Sequence, residues 1–137
     1  MHIFPVRVYY SDTDCGGIVY HARYLDFAEH ARTELLREIA QRHRFDGNQS
    51  AMLNLSKTGF VVKSITIDYQ KPAKLDDLLE VRTTVTSMKR FSMTLTQQVF
   101  KDEDLIADLL VKVAAIHLDT LKPQPLGDDL QKAFLGG

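Results

Sequence analysis

YSDTDCGGIVYHARYLDFAEHARTELLRE, residues 10–38, changes its periodicity part-way through. From His21 onward Tyr24, Phe27, Ala28, Ala31, Leu35 and Ile39 recur at steps of three and four, while Arg23, Asp26, Glu29, Arg32 and Arg37 fall off that stripe. At 3.6 residues per turn this spacing gathers the apolar side chains on one face, which predicts a long amphipathic helix starting near His21. The sequence holds no second pattern of this length. The helix is expected to fray through QRHRFDGNQS, residues 41–50, where Gly47 and Asn48 favour loop.

On either side of this helix the period is two. FPVRVYY, residues 4–10, alternates Phe4, Val6, Val8 and Tyr10 with Pro5, Arg7 and Tyr9, and Pro5 favours a sheet edge or a strand start. TGFVVKSITIDYQ, residues 58–70, is expected to place Val61, Ile65, Ile67 and Tyr69 on one face. LLEVRTTVTSM, residues 78–88, does the same with Leu79, Val81, Thr83 and Val85, and FSMTLTQQVF, residues 91–100, with Phe91, Met93, Leu95 and Val99. LIADLLVKVAAIHL, residues 105–118, is apolar on both parities, which predicts a strand that is central or covered on both faces. The connections AKLDD, KR and KDED are too short for parallel crossovers, so the neighbours should be antiparallel. After Pro123, Pro125 and Gly127 a short helix is expected near residues 129–134.

The order strand, long helix, four strands is α+β: one helix against one five-stranded antiparallel sheet. One helix cannot cover both faces of such a sheet, and the doubly apolar last strand therefore predicts an oligomer. At 137 residues the chain is expected to form a single domain spanning residues 1–137. Seventeen basic and eighteen acidic residues, a net charge of -1 and no long run of either sign exclude a broad field for nucleic acid or anionic membrane. Cys15 is the only cysteine, so no intramolecular disulfide can form, and no ligand cluster suggests a metal. The chain has neither a signal-length apolar run at its start nor a span of the ~20 apolar residues a bilayer requires, so a cytoplasmic protein that does not cross the membrane is expected. P-loop, dinucleotide and Gly-x-Ser-x-Gly patterns are absent from the sequence, and no cofactor is implied.

The chemistry concentrates between the first strand and the helix. Amides at a helix start lack intrahelical partners and carry the positive end of the macrodipole. Gly16 and Gly17 let the preceding loop turn tightly. Asp14 on that loop, beside such amides, is a minimal kit for attack on an activated acyl carbon, with the carboxylate as nucleophile or base and the amides as oxyanion hole. A thioester suits it better than an amide, because a thiol with a pKa near ~8.5 leaves without a strong general acid. Asp12 reads as a turn or cap residue and Cys15 as a small packed residue. His21 could cap, pack or catalyse. His30 lies half a turn around the helix from it, so the two cannot share a metal. His117 reads as a satisfied core histidine, and Tyr10 as a core or interface aromatic.

These residues also carry a resemblance. YSDTDCGGIVYHARYLDFAEHARTELLRE is similar to the signature segment of the hotdog-fold acyl-CoA thioesterases of the 4-hydroxybenzoyl-CoA thioesterase type, above all their bacterial Tol-Pal-associated branch. FVVKSITIDYQKPAKLDDLLEV, residues 60–81, and TSMKRFS, residues 86–92, resemble later strands of that family. The resemblance implies a hotdog fold, a long central helix wrapped by a five-stranded antiparallel sheet, that pairs edge to edge into a homodimer or homotetramer. It implies Asp14 as the catalytic carboxylate, the backbone N–H at His21 as the group that polarises the thioester carbonyl, and a part for the His21 and Tyr10 side chains. Gly16 and Gly17 would line the substrate, and Lys89, Arg90 and Ser92 would contact coenzyme A phosphates. The implied substrate is an acyl-CoA or acyl carrier protein thioester. A hotdog hydratase or dehydratase, and a non-catalytic acyl-binding scaffold, are the competing readings.

Overall fold

The computed structural model describes residues 1–42 and 57–135. Its elements are β1 (His2–Arg7), α1 (Arg23–Arg42), β2 (Thr58–Tyr69), β3 (Leu78–Met88), β4 (Ser92–Lys101), β5 (Asp104–His117) and α2 (Asp128–Leu135). The strands form one sheet in the order β1-β3-β4-β5-β2, with every neighbouring pair antiparallel. This is the expected α+β architecture. β1, which carries Pro5, is one edge and β2 is the other. Most of the loop expected at residues 41–50 lies outside the described residues.

Every member of the predicted helical stripe is buried: Tyr24, Phe27, Ala28, Ala31, Leu35 and Ile39. Ala28 and Ala31 have no side chain beyond Cβ, which lets α1 lie close to the sheet. The longer Leu35 and Ile39 fill the space nearer its end, each stabilising the fold by about 1.5–3 kcal/mol. From the sheet, Leu79, Val81, Met93, Leu95, Val99, Leu109, Val111 and Val113 meet this face in one core.

Within that apolar layer sits a polar network. Gln97 is fully buried. Its amide nitrogen donates to the Ala28 carbonyl at 2.9 Å and to the Thr83 hydroxyl at 3.0 Å, and its amide oxygen accepts from the Arg32 guanidinium at 2.9 Å. Burial lowers the Arg32 pKa from its ordinary value, opposed by the nearby Glu29 carboxylate.

One expectation about faces needs correction. A β-bulge between Val62 and Ser64 inserts an extra residue into β2 and reverses its parity. Val62 lies opposite core-facing Val113 and Ile65 opposite core-facing Val111, whereas Val61 lies opposite Ala114 on the outer face. Val61 therefore does not share a face with Ile65. β5 is an interior strand, as expected; α1 covers one side of it, and on the other side Leu110 remains 42% exposed.

Candidate active site

After β1, Val8 enters the core and the chain makes a short 3-10 turn over Tyr10–Asp12. Asp12, only 8% exposed, is its anchor. Its carboxylate accepts the Tyr9 N–H at 2.8 Å and the Arg23 Nε–H at 3.1 Å, and it pairs with a second Arg23 nitrogen at 3.0 Å. Asp12 is thus the cap its position suggested, and it fastens this turn to the first residue of α1. Beyond it, Thr13 bridges Val19, the Asp14 N–H donates to the Ile18 carbonyl, and the Tyr20 N–H donates to the Asp12 carbonyl. Residues 12–20 therefore form a small hairpin. The bridge from Ile18 to Lys74, and the Val19 N–H bound to the Ala73 carbonyl at 2.9 Å, hold it against the segment that leads into β3. Asp77 stiffens that segment by accepting the Lys74 N–H at 2.8 Å and pairing with Lys101 at 3.0 Å. Burial alone would raise its pKa, but these two partners hold it below the ordinary value.

Asp14 stands exposed near the hairpin tip. One carboxylate oxygen accepts the Gly16 N–H at 2.8 Å and its carbonyl accepts the Gly17 N–H at 3.0 Å, closing a tight turn. The other carboxylate oxygen has no protein partner among the described residues. Gly17 has φ +81°, a conformation that glycine adopts without cost. A Cβ at Gly16 would lie 3.2 Å from the Asp14 carboxylate, so glycine there leaves room for the carboxylate itself. Cys15 is exposed rather than packed, because this turn projects from the hairpin.

At the hairpin root the helix begins at Arg23, two residues later than its periodicity predicts. The Arg23 N–H is bound to the Tyr20 carbonyl at 2.8 Å and the Leu25 N–H to the Ala22 carbonyl at 3.1 Å, which tightens the first turn. The His21 carbonyl accepts instead the Tyr69 hydroxyl at 3.0 Å. The N–H groups of His21 and Ala22 have no acceptor among the described residues. His21 is therefore not itself the first helical residue, yet two free donors stand just ahead of α1, at the positive end of its dipole. Its exposed ring lies 4.5 Å from that of Tyr20 and 6.3 Å from that of Tyr69. With Ile18, Tyr24, Tyr69 and Pro72 it lines a depression of about 290 Å³. Tyr24 forms the floor, its hydroxyl accepting the Ala73 N–H at 3.3 Å, and burial raises its pKa.

The other expected site residues are not gathered here. Tyr10 is 81% exposed and lines a separate shallow depression with Arg7, Tyr9 and Leu75. Lys89 and Arg90 are exposed in the β3–β4 turn, where the Lys89 N–H meets the Ser92 carbonyl and the Arg90 guanidinium lies over the Phe91 ring. That turn follows the end of β3, whereas the Asp14 hairpin abuts its beginning. Eleven residues of strand separate them, roughly 35 Å at ~3.3 Å per residue. His117 is half-buried and its Nδ1 accepts the Asp119 N–H at 3.2 Å, so it braces a turn. Among the described residues no group of three His, Cys, Asp or Glu side chains could hold a metal ion. Tyr69, which reads in the sequence only as an aromatic strand residue, is a site contact that periodicity and motif passed over.

The family model of the Thioesterase-like superfamily matches residues 8–134, a span that includes the hairpin, α1 and all four later strands. The chain belongs to that superfamily. This Thioesterase-like chain is 44% identical over 131 residues to an acyl-CoA thioesterase, YbgC, of Haemophilus influenzae, covering 96% of this chain and 92% of that protein. It is 43% identical over 122 residues to the acyl-CoA thioester hydrolase YbgC of Shigella flexneri, covering 89% and 85%. Among solved structures, a probable thioesterase from Bartonella henselae is 33% identical, with a TM-score of 0.80 over 92% of this chain and 98% of that one. The fold these proteins share is the hotdog, the α1-on-sheet arrangement described above.

Proposed function

We propose that the protein hydrolyses acyl-CoA thioesters to the free acid and CoA. One observation carries the reading: a single hairpin presents, near its tip, a carboxylate oxygen and, at its root, two amides that have no partner among the described residues, in a chain 44% identical to an acyl-CoA thioesterase. A thioester seated in the depression beside His21 would turn its carbonyl oxygen toward the N–H groups of His21 and Ala22. Asp14 either attacks the carbonyl carbon, forming a mixed anhydride that water opens, or takes a proton from the water that attacks. In both routes negative charge develops on the acyl oxygen, where preorganised amides stabilise it more than they stabilise the ground state. The C–S bond then breaks and the sulfur leaves with the bonding pair. Water supplies the proton of the thiol and one oxygen, which ends in the acid or, where the anhydride opens at the aspartyl carbon, replaces the Asp14 oxygen that leaves in the acid.

The separation of Lys89, Arg90 and Ser92 from Asp14 supports a site shared between two copies. Among the described residues no strand pairs with the outer edge of β2, whose Thr58 end lies at the same end of the sheet as the β3–β4 turn and whose Tyr69 end lies beside His21. Antiparallel pairing of two β2 edges about a two-fold axis would bring the β3–β4 turn of one subunit toward the Asp14 hairpin of the other. There the lysine and arginine could meet CoA phosphates. Among the described residues no helix is long and apolar enough to cross a membrane.

Purified protein given a panel of acyl-CoAs, with thiol release followed by absorbance, tests the assignment. Asp14→Asn should lower kcat by about 100-fold or more, the usual scale for removing a nucleophile or base. Near-normal turnover by that variant would remove Asp14 from the chemistry. In a single turnover in oxygen-labelled water, label found inside Asp14 marks the anhydride route, because only water opening that anhydride at the aspartyl carbon puts it there.

A further inference from the structure

Two consecutive peptide groups ahead of α1 share one bonding pattern, with the carbonyl engaged and the N–H without an acceptor among the described residues. In the Tyr20–His21 peptide the carbonyl accepts the Arg23 N–H at 2.8 Å; in the His21–Ala22 peptide it accepts the Tyr69 hydroxyl at 3.0 Å. A peptide is planar and trans, so fixing its C=O fixes its N–H in the opposite direction. A hydrogen bond accepted at the oxygen also polarises the N–H of the same group and makes it a better donor. Backbone alone holds the first peptide, but the second depends on one side chain. In a regular helix the His21 carbonyl would bind the Leu25 N–H, which here is bound to Ala22 instead.

We infer that Tyr69 is a positioning residue for thioester hydrolysis, its hydroxyl orienting the His21–Ala22 peptide so that the Ala22 N–H faces the acyl oxygen. This rests on the thioesterase reading above. Tyr69 is placed for the task. It is the last residue of β2, paired with Ala107 of β5, and its ring packs against His21 and Tyr24 with centroid separations of 6.3 and 5.7 Å. The sheet thus carries the hydroxyl, and the amide that receives charge is held in register with the sheet rather than left to the fraying end of a helix.

Tyr69→Phe keeps the ring and removes the hydroxyl. It should lower kcat toward an acyl-CoA by about tenfold, the scale of one neutral hydrogen bond, with KM and melting temperature unchanged. Tyr69→Leu, which also removes the ring, should lose more. In an Asp14→Asn background, which holds the substrate uncleaved, the infrared band of an isotope-labelled thioester carbonyl should move back toward its free position when Tyr69→Phe is added. An unchanged kcat, a loss that tracks melting temperature, or an unmoved carbonyl band would overturn the assignment to Tyr69. Rapid turnover by Asp14→Asn alone would overturn the underlying site reading instead.

Discussion

Adjacent glycines in the Asp14 turn serve different physical ends. Gly17 meets nothing within 4 Å of a would-be Cβ, but it holds φ +81°. Alanine there costs backbone strain of about 1–2 kcal/mol. Gly16 has no such φ, yet its Cβ would crowd the Asp14 carboxylate. Paired thermal melts and kcat measurements should therefore separate them: Gly16→Ala costs turnover more than stability, and Gly17→Ala the reverse. Much at this scale is legible in the sequence, because Asp12, Asp14, the glycines and His21 fall within ten residues and their relations are local. Tyr69 is not legible in that way. Its partner lies 48 positions distant, and a tyrosine ending a β-rich run has an ordinary explanation. Cys15 escaped for a related reason, since exposure depends on which way the turn projects.

Helix and strands follow their periodicity closely because one covered face imposes a period of 3.6 or 2. The departures come where that period is interrupted. The bulge at Lys63 adds a residue without any compositional mark, so alternation extended across it places Val61 on the wrong face. Gln97 misleads in the opposite sense: a glutamine between Leu95 and Val99 reads as a lapse in the apolar row, yet it is the buried junction of α1, β3 and β4. Gln97→Ala would leave the Ala28 carbonyl, the Thr83 hydroxyl and the Arg32 guanidinium without their shared partner. Denaturant unfolding should register a loss of about 2–4 kcal/mol. A loss below about 0.5 kcal/mol would mean that water replaces the amide at little cost.

Taken whole, one chain presents its carboxylate at one end of the sheet and its paired cations at the other. A shared site makes a prediction that no single-chain site shares. Asp14→Asn protein should be nearly inactive, and Lys89→Ala/Arg90→Ala protein should show a raised KM for CoA thioesters. Mixed and allowed to exchange subunits, the two should regain sites of normal KM, because in each heterodimer one site takes its aspartate from one chain and its cations from the other. Failure to regain normal KM, with exchange verified by native mass spectrometry, would place the cations outside the site. The β2 edge has a further consequence during biosynthesis. Among the described residues no strand pairs with its outer side, so a newly folded chain offers there a row of backbone donors and acceptors that other extended segments can join. If two β2 edges pair as proposed, the period of greatest vulnerability to aggregation is the interval after folding and before the chain meets a second copy, an interval that lengthens as expression falls.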